Sequence, residues 1–217
     1  MSATVQVIDL IETESLDDAE AMWRAVCGFL ATQPGFLSGE LLNTFQSIHP
    51  KGDYKLTSCC QWESDAAWQA ARQAARENPE LALRLRSRKA VFTAFKAELA
   101  DGCGYQGSRG ALDTMVLVDV IRLDEAQMAG YAAMWGCANA YMRTKPGYVG
   151  ASLYRTLDLG NPIKFINLAE WESTEVFFAA LDTPEFMAII GPYKDDFSLY
   201  LSSKRTQVAS AALAETK

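Results

Sequence analysis

Asn167 and Trp171 stand four residues apart in Lys164-Phe165-Ile166-Asn167-Leu168-Ala169-Glu170-Trp171-Glu172-Ser173, an apolar run that reads as a buried strand turning directly into a helix. Side chains alternate along a strand, so Phe165, Asn167, Ala169 and Trp171 share one face, and Ile166, Leu168 and Glu170 the other. An amide buried without a partner is costly, so Asn167 must be met by protein, by water or by a bound molecule. Tyr154 and Tyr200, on neighbouring strands, are candidate phenol donors to a cavity here, and Arg155 is a candidate anion clamp. Alternation puts Tyr154 and Arg155 on opposite faces, so at most one of them reaches a given cavity. The plain alternative is that Trp171 is core and Asn167 anchors a loop.

Other chemistries find little support. His49, the sole histidine, sits in the turn His49-Pro50-Lys51-Gly52-Asp53, a place suited to solvent exposure. Neither metal-ligand spacing nor a Gly-rich phosphate loop is present. The five cysteines, Cys27, Cys59, Cys60, Cys103 and Cys137, form no C-x-x-C pair and are expected to be reduced and mostly buried. Arg84, Arg86 and Arg88 read as a solvated face. A net charge of −7 argues against nucleic acid or an anionic membrane as partner. Without a basic leader or a membrane-length apolar run, a cytoplasmic protein is expected.

These residues need a scaffold, and the chain supplies one twice. In the first half, strands are expected over Val5–Ile11, Phe36–Phe45, Tyr54–Glu63 and Ala90–Leu99. A helix opens after Ser15, another after Ser64 and a shorter one at Pro79. In the second half, strands are expected over Val116–Ile121, Val149–Leu157, Ile163–Glu172 and Asp196–Ser203. Helices fall over Asp124–Thr144, after Ser173 to Leu181, and from Pro184. Ala21-Met22-Trp23 matches Ala133-Met134-Trp135, and Pro34-Gly35-Phe36 matches Pro146-Gly147-Tyr148, both at an offset of 112. Trp62-Glu63-Ser64 matches Trp171-Glu172-Ser173 at 109, and Pro79-Glu80-Leu81 matches Pro184-Glu185-Phe186 at 105. Landmarks kept in order at slowly drifting offsets indicate an internal duplication. Trp23 and Trp135 are expected to pack their helices on the sheet, and Trp68 to lie exposed or at a helix–sheet seam.

Each half therefore has the β-α-β-β-α-β order of a ferredoxin-like unit. The expected fold is α+β, with two tandem units packed sheet to sheet as a pseudo-dimeric α+β barrel. The expected division is 1–100 for the first unit, 101–113 for a Gly-rich linker, 114–205 for the second unit and 206–217 for a tail.

The Pro-Gly-aromatic at the end of each first helix, and the strand ending in Trp-Glu-Ser before a helix, resemble the antibiotic biosynthesis monooxygenase superfamily. The resemblance spans nearly all of 4–205, as a fused pair of units that are ordinarily separate chains. It implies an oxidoreductase that oxidises a phenolic or polycyclic aromatic small molecule, such as a polyketide intermediate, with dioxygen and without metal or haem. It also implies that Asn167 and Trp171 line the working cavity as catalytic residues. Ser58 and Trp62 occupy the matching places of the first half, which departs from the pattern at Ser58 and is expected to be structural. Tyr200, Tyr154, Arg155, Trp62 and Ser58 are the expected substrate contacts. Other readings on this scaffold are an oxygenase supplied with reduced flavin by a separate reductase, a binding or stress module, and an isomerase or cyclase. The fused pair is expected to form an intramolecular pseudo-dimer, with a further homodimer left open.

Overall fold

The computed structural model describes residues 4–86, 90–102, 104–105, 107, 113–158 and 160–209. Cys103, Arg88, the side chain of Arg86 and the tail from 210 onward lie outside the described residues. The first half runs β1 (Val5–Thr13), α1 (Leu16–Leu30), β2 (Phe36–Ile48), β3 (Leu56–Trp62), α2 (Asp65–Glu77), α3 (Pro79–Arg86) and β4 (Ala90–Gly102). The second runs β5 (Met115–Arg122), α4 (Met128–Met142), β6 (Tyr148–Thr156), β7 (Ile163–Trp171), α5 (Thr174–Leu181), α6 (Pro184–Ile190) and β8 (Leu199–Ala209).

Local chemistry starts and stops these elements as expected. Ser15, Ser64 and Ser173 have extended backbones, and each side chain accepts a hydrogen bond from an N–H three residues on, at 3.3, 3.2 and 3.5 Å. Gly35 and Gly147, which follow α1 and α4, have φ of +82° and +74°. A Cβ on Gly35 would stand 2.5 Å from the Ala67 side chain, and one on Gly147 would stand 2.5 Å from Val176. Both the left-handed turn and the docking of the next helix thus require glycine. Several boundaries differ from expectation, among them the end of β4, which runs through Gly102 into the expected linker. The start of the long second-half helix is a 3-10 turn, Glu125–Gln127, before α4 begins. β8 runs through Ala209, because its C-terminal residues pair with β2 from Ser38 onward, so 206–209 are strand and not tail.

The eight strands form one closed barrel in the order β1-β3-β2-β8-β5-β7-β6-β4. Within each half the order is that of a ferredoxin-like sheet, and the halves are joined edge to edge. β2 pairs antiparallel with β8 from Ser38/Ala209 to Ile48/Leu199, and β6 pairs with β4 from Ala97/Thr156 to Gly102/Ser152. Because β2 corresponds to β6, and β4 to β8, the two seams are related by an internal two-fold exchange. The expected pseudo-dimeric barrel is therefore what the chain forms, and its sheets meet through hydrogen-bonded edges as well as through their faces. Closure leaves no sheet edge unpaired.

The lumen is apolar at its centre, with Ile8, Leu10, Val118, Ile166, Leu168 and Tyr200 among its side chains. Two further cores lie outside the barrel wall, one under α1 and α2 and one under α4, α5 and α6. Among the described residues, no helix is long and apolar enough to cross a membrane. Since each half completes the other's sheet, proteolytic nicking between 108 and 112 is expected to leave the halves associated. Size-exclusion chromatography of the nicked protein should give one particle of the intact mass, and two stable separate halves would contradict the shared barrel.

Candidate active site

β7 is buried at every position, so both of its faces are put to use. Ile166 and Leu168 turn into the lumen, whereas Phe165, Ala169 and Trp171 join the core beneath α4–α6. Asn167 shares that second face. It opens on a cavity of about 160 Å³ between the sheet and the second-half helices. Leu117 and Asp119 of β5, Asn167 and Trp171 of β7, and Tyr131 and Trp135 of α4 all line it.

Aromatic rings hold the walls in place. Tyr148 and Phe177 meet Trp171 edge-on, with centroids 5.1 and 5.6 Å away. Tyr131 stacks on Phe165 at 5.2 Å and meets Tyr193 and Phe197 edge-on. Such offset and T-shaped pairs are favourable beyond the apolar area they bury.

The polar content is small and unpaired. Asn167 is 7% exposed, and its Oδ1 has no hydrogen-bond partner among the described residues. The same holds for Asp119 Oδ1 and for the Tyr131 hydroxyl, both on the cavity wall. Burial pushes the Asp119 carboxyl well above the usual carboxylate range, with the Ser198 backbone N–H pulling the other way. Burial likewise raises the Tyr131 phenol, helped by the charges of Asp119 and Asp196. Each unmet buried polar group costs about 1–3 kcal/mol. Three such groups line one cavity, where a bound molecule could complete their hydrogen bonds.

The matching region of the first half is built differently around Ser58. Trp23 Nε1 donates to Ser58 Oγ at 2.8 Å, so the polar side chain at the place of Asn167 is met from within the protein. Trp68, which corresponds to Phe177, tilts over Trp62 at 5.4 Å, and Phe36 meets Trp62 edge-on much as Tyr148 meets Trp171. Ala19 of α1 takes the place of Tyr131. Asp9, the counterpart of Asp119, is raised to about 6 by burial and held down by the Ser58 hydroxyl.

Among the expected contacts, the structure brings Asn167 and Trp171 together on the cavity and places the others elsewhere. Tyr200 and Tyr154 are on the lumen side of the sheet, and the Tyr200 hydroxyl donates to Gly52 O at 2.8 Å. The reason is strand phase: Tyr200 pairs with Val118 and Tyr154 with Ile166, both lumen residues. Arg155 is half exposed and paired with Glu98. Ser58 and Trp62 are buried in the first half, Trp62 within its core. His49 is exposed. Trp68 is at the helix–sheet seam, and Trp135 both packs in the core and lines the cavity. Cys27, Cys59 and Cys60 are buried free thiols, whereas Cys137 on α4 is exposed, against expectation, because it faces away from the sheet.

Asp119 and Tyr131 were not anticipated. A signal for Asp119 existed: it is the one acid inside Met115-Val116-Leu117-Val118-Asp119-Val120-Ile121, and Asp9 recurs at the same place in the first half.

Comparison with known proteins agrees with this architecture. Residues 114–191 match the family model described as antibiotic biosynthesis monooxygenase, so the half that holds the cavity carries that domain. The full chain superposes on a structure described as an anthrone oxidase-like protein with a TM-score of 0.74 and 13% identity, covering 97% of this chain and 94% of that one. A Lactobacillus acidophilus protein provisionally named a monooxygenase superposes with a TM-score of 0.65 and 9% identity over 96% and 97% of the two chains. A monooxygenase-like protein from Listeria innocua gives 0.53 and 12% over 94% and 95%. No protein of curated function matches the sequence. The family likeness is thus carried by residues 114–191, and the solved structures share the fold of the whole chain, a tandem of two ferredoxin-like units in one barrel.

Proposed function

We propose that the second unit is a cofactor-independent monooxygenase that oxidises a phenolic, fused-ring aromatic small molecule of the polyketide-intermediate kind with dioxygen. The first unit is its structural partner. The observation that carries this reading is a buried amide with an unmet oxygen, facing a cavity walled by aromatic rings, in the half that matches the monooxygenase family. The fold neighbour described as anthrone oxidase-like supports the same substrate class.

The site's residues divide the work simply. Trp171, Tyr148 and Phe177 give flat apolar walls against which an aromatic ring packs. An apolar cavity of about 150 Å³ accepts one benzene ring, so the enclosed 160 Å³ seats the reacting ring. The remaining rings extend toward Met187 of α6, which lines the cavity and is half exposed. Asn167 accepts the phenolic hydrogen bond through Oδ1 and offers its NH2 group to the anion formed on deprotonation. In a water-excluded site such a fixed dipole stabilises developing charge without reorganisation. The electron-rich anion passes one electron to dioxygen, and the radical pair recombines with formation of a C–O bond. Loss of water then leaves a quinone carbonyl. One oxygen atom stays in the product, and the other leaves as water with two substrate hydrogens, so no external reductant is needed.

The test is oxygen uptake by the purified protein with a hydroxyanthracenone. One dioxygen is expected per substrate, and the product should gain one labelled oxygen and lose two hydrogens. A product of unchanged mass would replace this reading with an isomerase. A strict requirement for reduced flavin would replace it with the flavin-supplied oxygenase, and tight binding without conversion with a container.

A further inference from the structure

Asp119 is the one carboxyl among the described residues lining the cavity, and no lysine, arginine or histidine lines it. It stands opposite Asn167 in the β5–β7 pairing, and side chains so paired have Cβ atoms about 5 Å apart. The residue is 5% exposed and its Oδ1 has no partner. An acid in apolar surroundings is expensive unless compensated, yet one occupies this place in both halves, as Asp9 and Asp119. In the first half the Ser58 hydroxyl compensates it. In the second half the residue at that place is an amide whose own oxygen is unmet.

We propose that Asp119 is the proton acceptor of this site, taking the phenolic proton of the bound aromatic, keeping it, and holding the resulting phenolate oxygen by a hydrogen bond beside Asn167. This rests on the phenol-binding reading above. In the step, the substrate O–H bond breaks, an O–H bond forms on Asp119, and the electron pair stays on the substrate oxygen. The groups around Asp119 are Tyr131 from α4, with Tyr193 packed on its ring, Asn167 from β7, and Asp196 and the Ser198 backbone from the segment before β8. None is a cation, so the carboxyl keeps the high proton affinity that burial gives it. An ordinary aspartate lies about six pH units below a phenol, and raising it narrows that gap. The carboxylate form is the active one, so turnover rises with pH as Asp119 ionises.

A hydroxyanthraquinone dye provides the probe, because its fused-ring phenol changes colour on ionisation and needs no oxidation. Its spectrum is titrated when bound to the unmodified protein, to Asp119→Asn and to the first-half control Asp9→Asn. At pH values where Asp119 is ionised, the unmodified protein and Asp9→Asn should hold the dye as its anion with no proton released to the medium. Asp119→Asn should hold it neutral until the dye ionises unaided. With hydroxyanthracenone, Asp119→Asn should lose on the order of 100-fold in kcat at pH values where Asp119 is ionised and recover as the substrate itself ionises. An anionic dye in Asp119→Asn at the same pH as in the unmodified protein would overturn the assignment, as would a neutral dye in the unmodified protein throughout. If Asp119→Asn does not fold, proton release by the unmodified protein decides the matter: one proton lost per anion bound overturns the proposal. A dye that ionises as expected in a protein that consumes no oxygen leaves Asp119 as acceptor and removes the oxygenase reading. A dye that does not bind overturns both.

Discussion

Asn167→Ala lowers kcat roughly 100-fold or more, the usual consequence of losing one oxyanion donor, while Ser58→Ala leaves turnover almost unchanged. On the proposed reading the NH2 group meets charge that exists only after deprotonation, so most of the loss falls on kcat, with a smaller rise in KM from the lost Oδ1 contact. Stability runs the other way. Asn167 Oδ1 has no protein partner to lose, so the alanine variant should melt close to the parent. Ser58 Oγ accepts from Trp23 Nε1, and its removal strands a buried indole N–H at a cost of about 1 kcal/mol. Steady-state kinetics and thermal melts on both variants check the pair. Equal small losses of turnover would mean that Asn167 is a core anchor.

Lys204→Met destabilises the barrel by about 3–5 kcal/mol, because it leaves a carboxylate buried without its cation. Lys204 Nζ and Glu170 Oε1 lie 2.5 Å apart with both side chains essentially inaccessible, and Thr114 Oγ1 donates to the same oxygen at 2.6 Å. Adding Glu170→Leu should recover most of the loss, since two apolar groups replace the pair. Glu40 gives the effect a pH dependence. Burial raises its carboxyl to about 7, with the Tyr105 hydroxyl and the Lys204 charge pulling it down and Glu170 pushing it up. The folded state therefore holds this proton where the unfolded chain has released it. Its contribution to stability is present at low pH and lost as pH rises through about 7. The Lys204→Met penalty is accordingly larger at about pH 8 than at about pH 5, as urea unfolding at both would show. A double variant no more stable than the single one would refute the isolated-charge account.

The elements were legible because their signals are local. Serine caps, the Pro-Gly-aromatic turns and the alternation in Phe165–Trp171 each depend on a few consecutive residues, and the repeat made every signal appear twice. The placement of Asn167 beside Trp171 followed from the same alternation. Tyr154 and Tyr200 were misassigned to the cavity because alternation tells which residues share a face and not which face meets the helices. Asp119 was overlooked because one acid in a strand looks like an exposed position until both sides of that strand are covered. β8 was expected to stop at Ser203 because its last residues are polar, and its partner lies more than 150 positions earlier in the chain.

By itself, the amino-acid order determined a duplicated β-α-β-β-α-β unit and the divergence of Asn167 from Ser58. Those are properties of residue type and short spacing. Only the tertiary structure decided that the sheets close edge to edge, that Trp23 satisfies Ser58 in the first half, and that Asp119, Tyr131 and Asn167 line one cavity. These depend on which strands become neighbours, a choice made by burying both faces of both sheets at once. If the space beside Asn167 bound no flat aromatic guest, a closed barrel would remain, with no chemistry assigned to it.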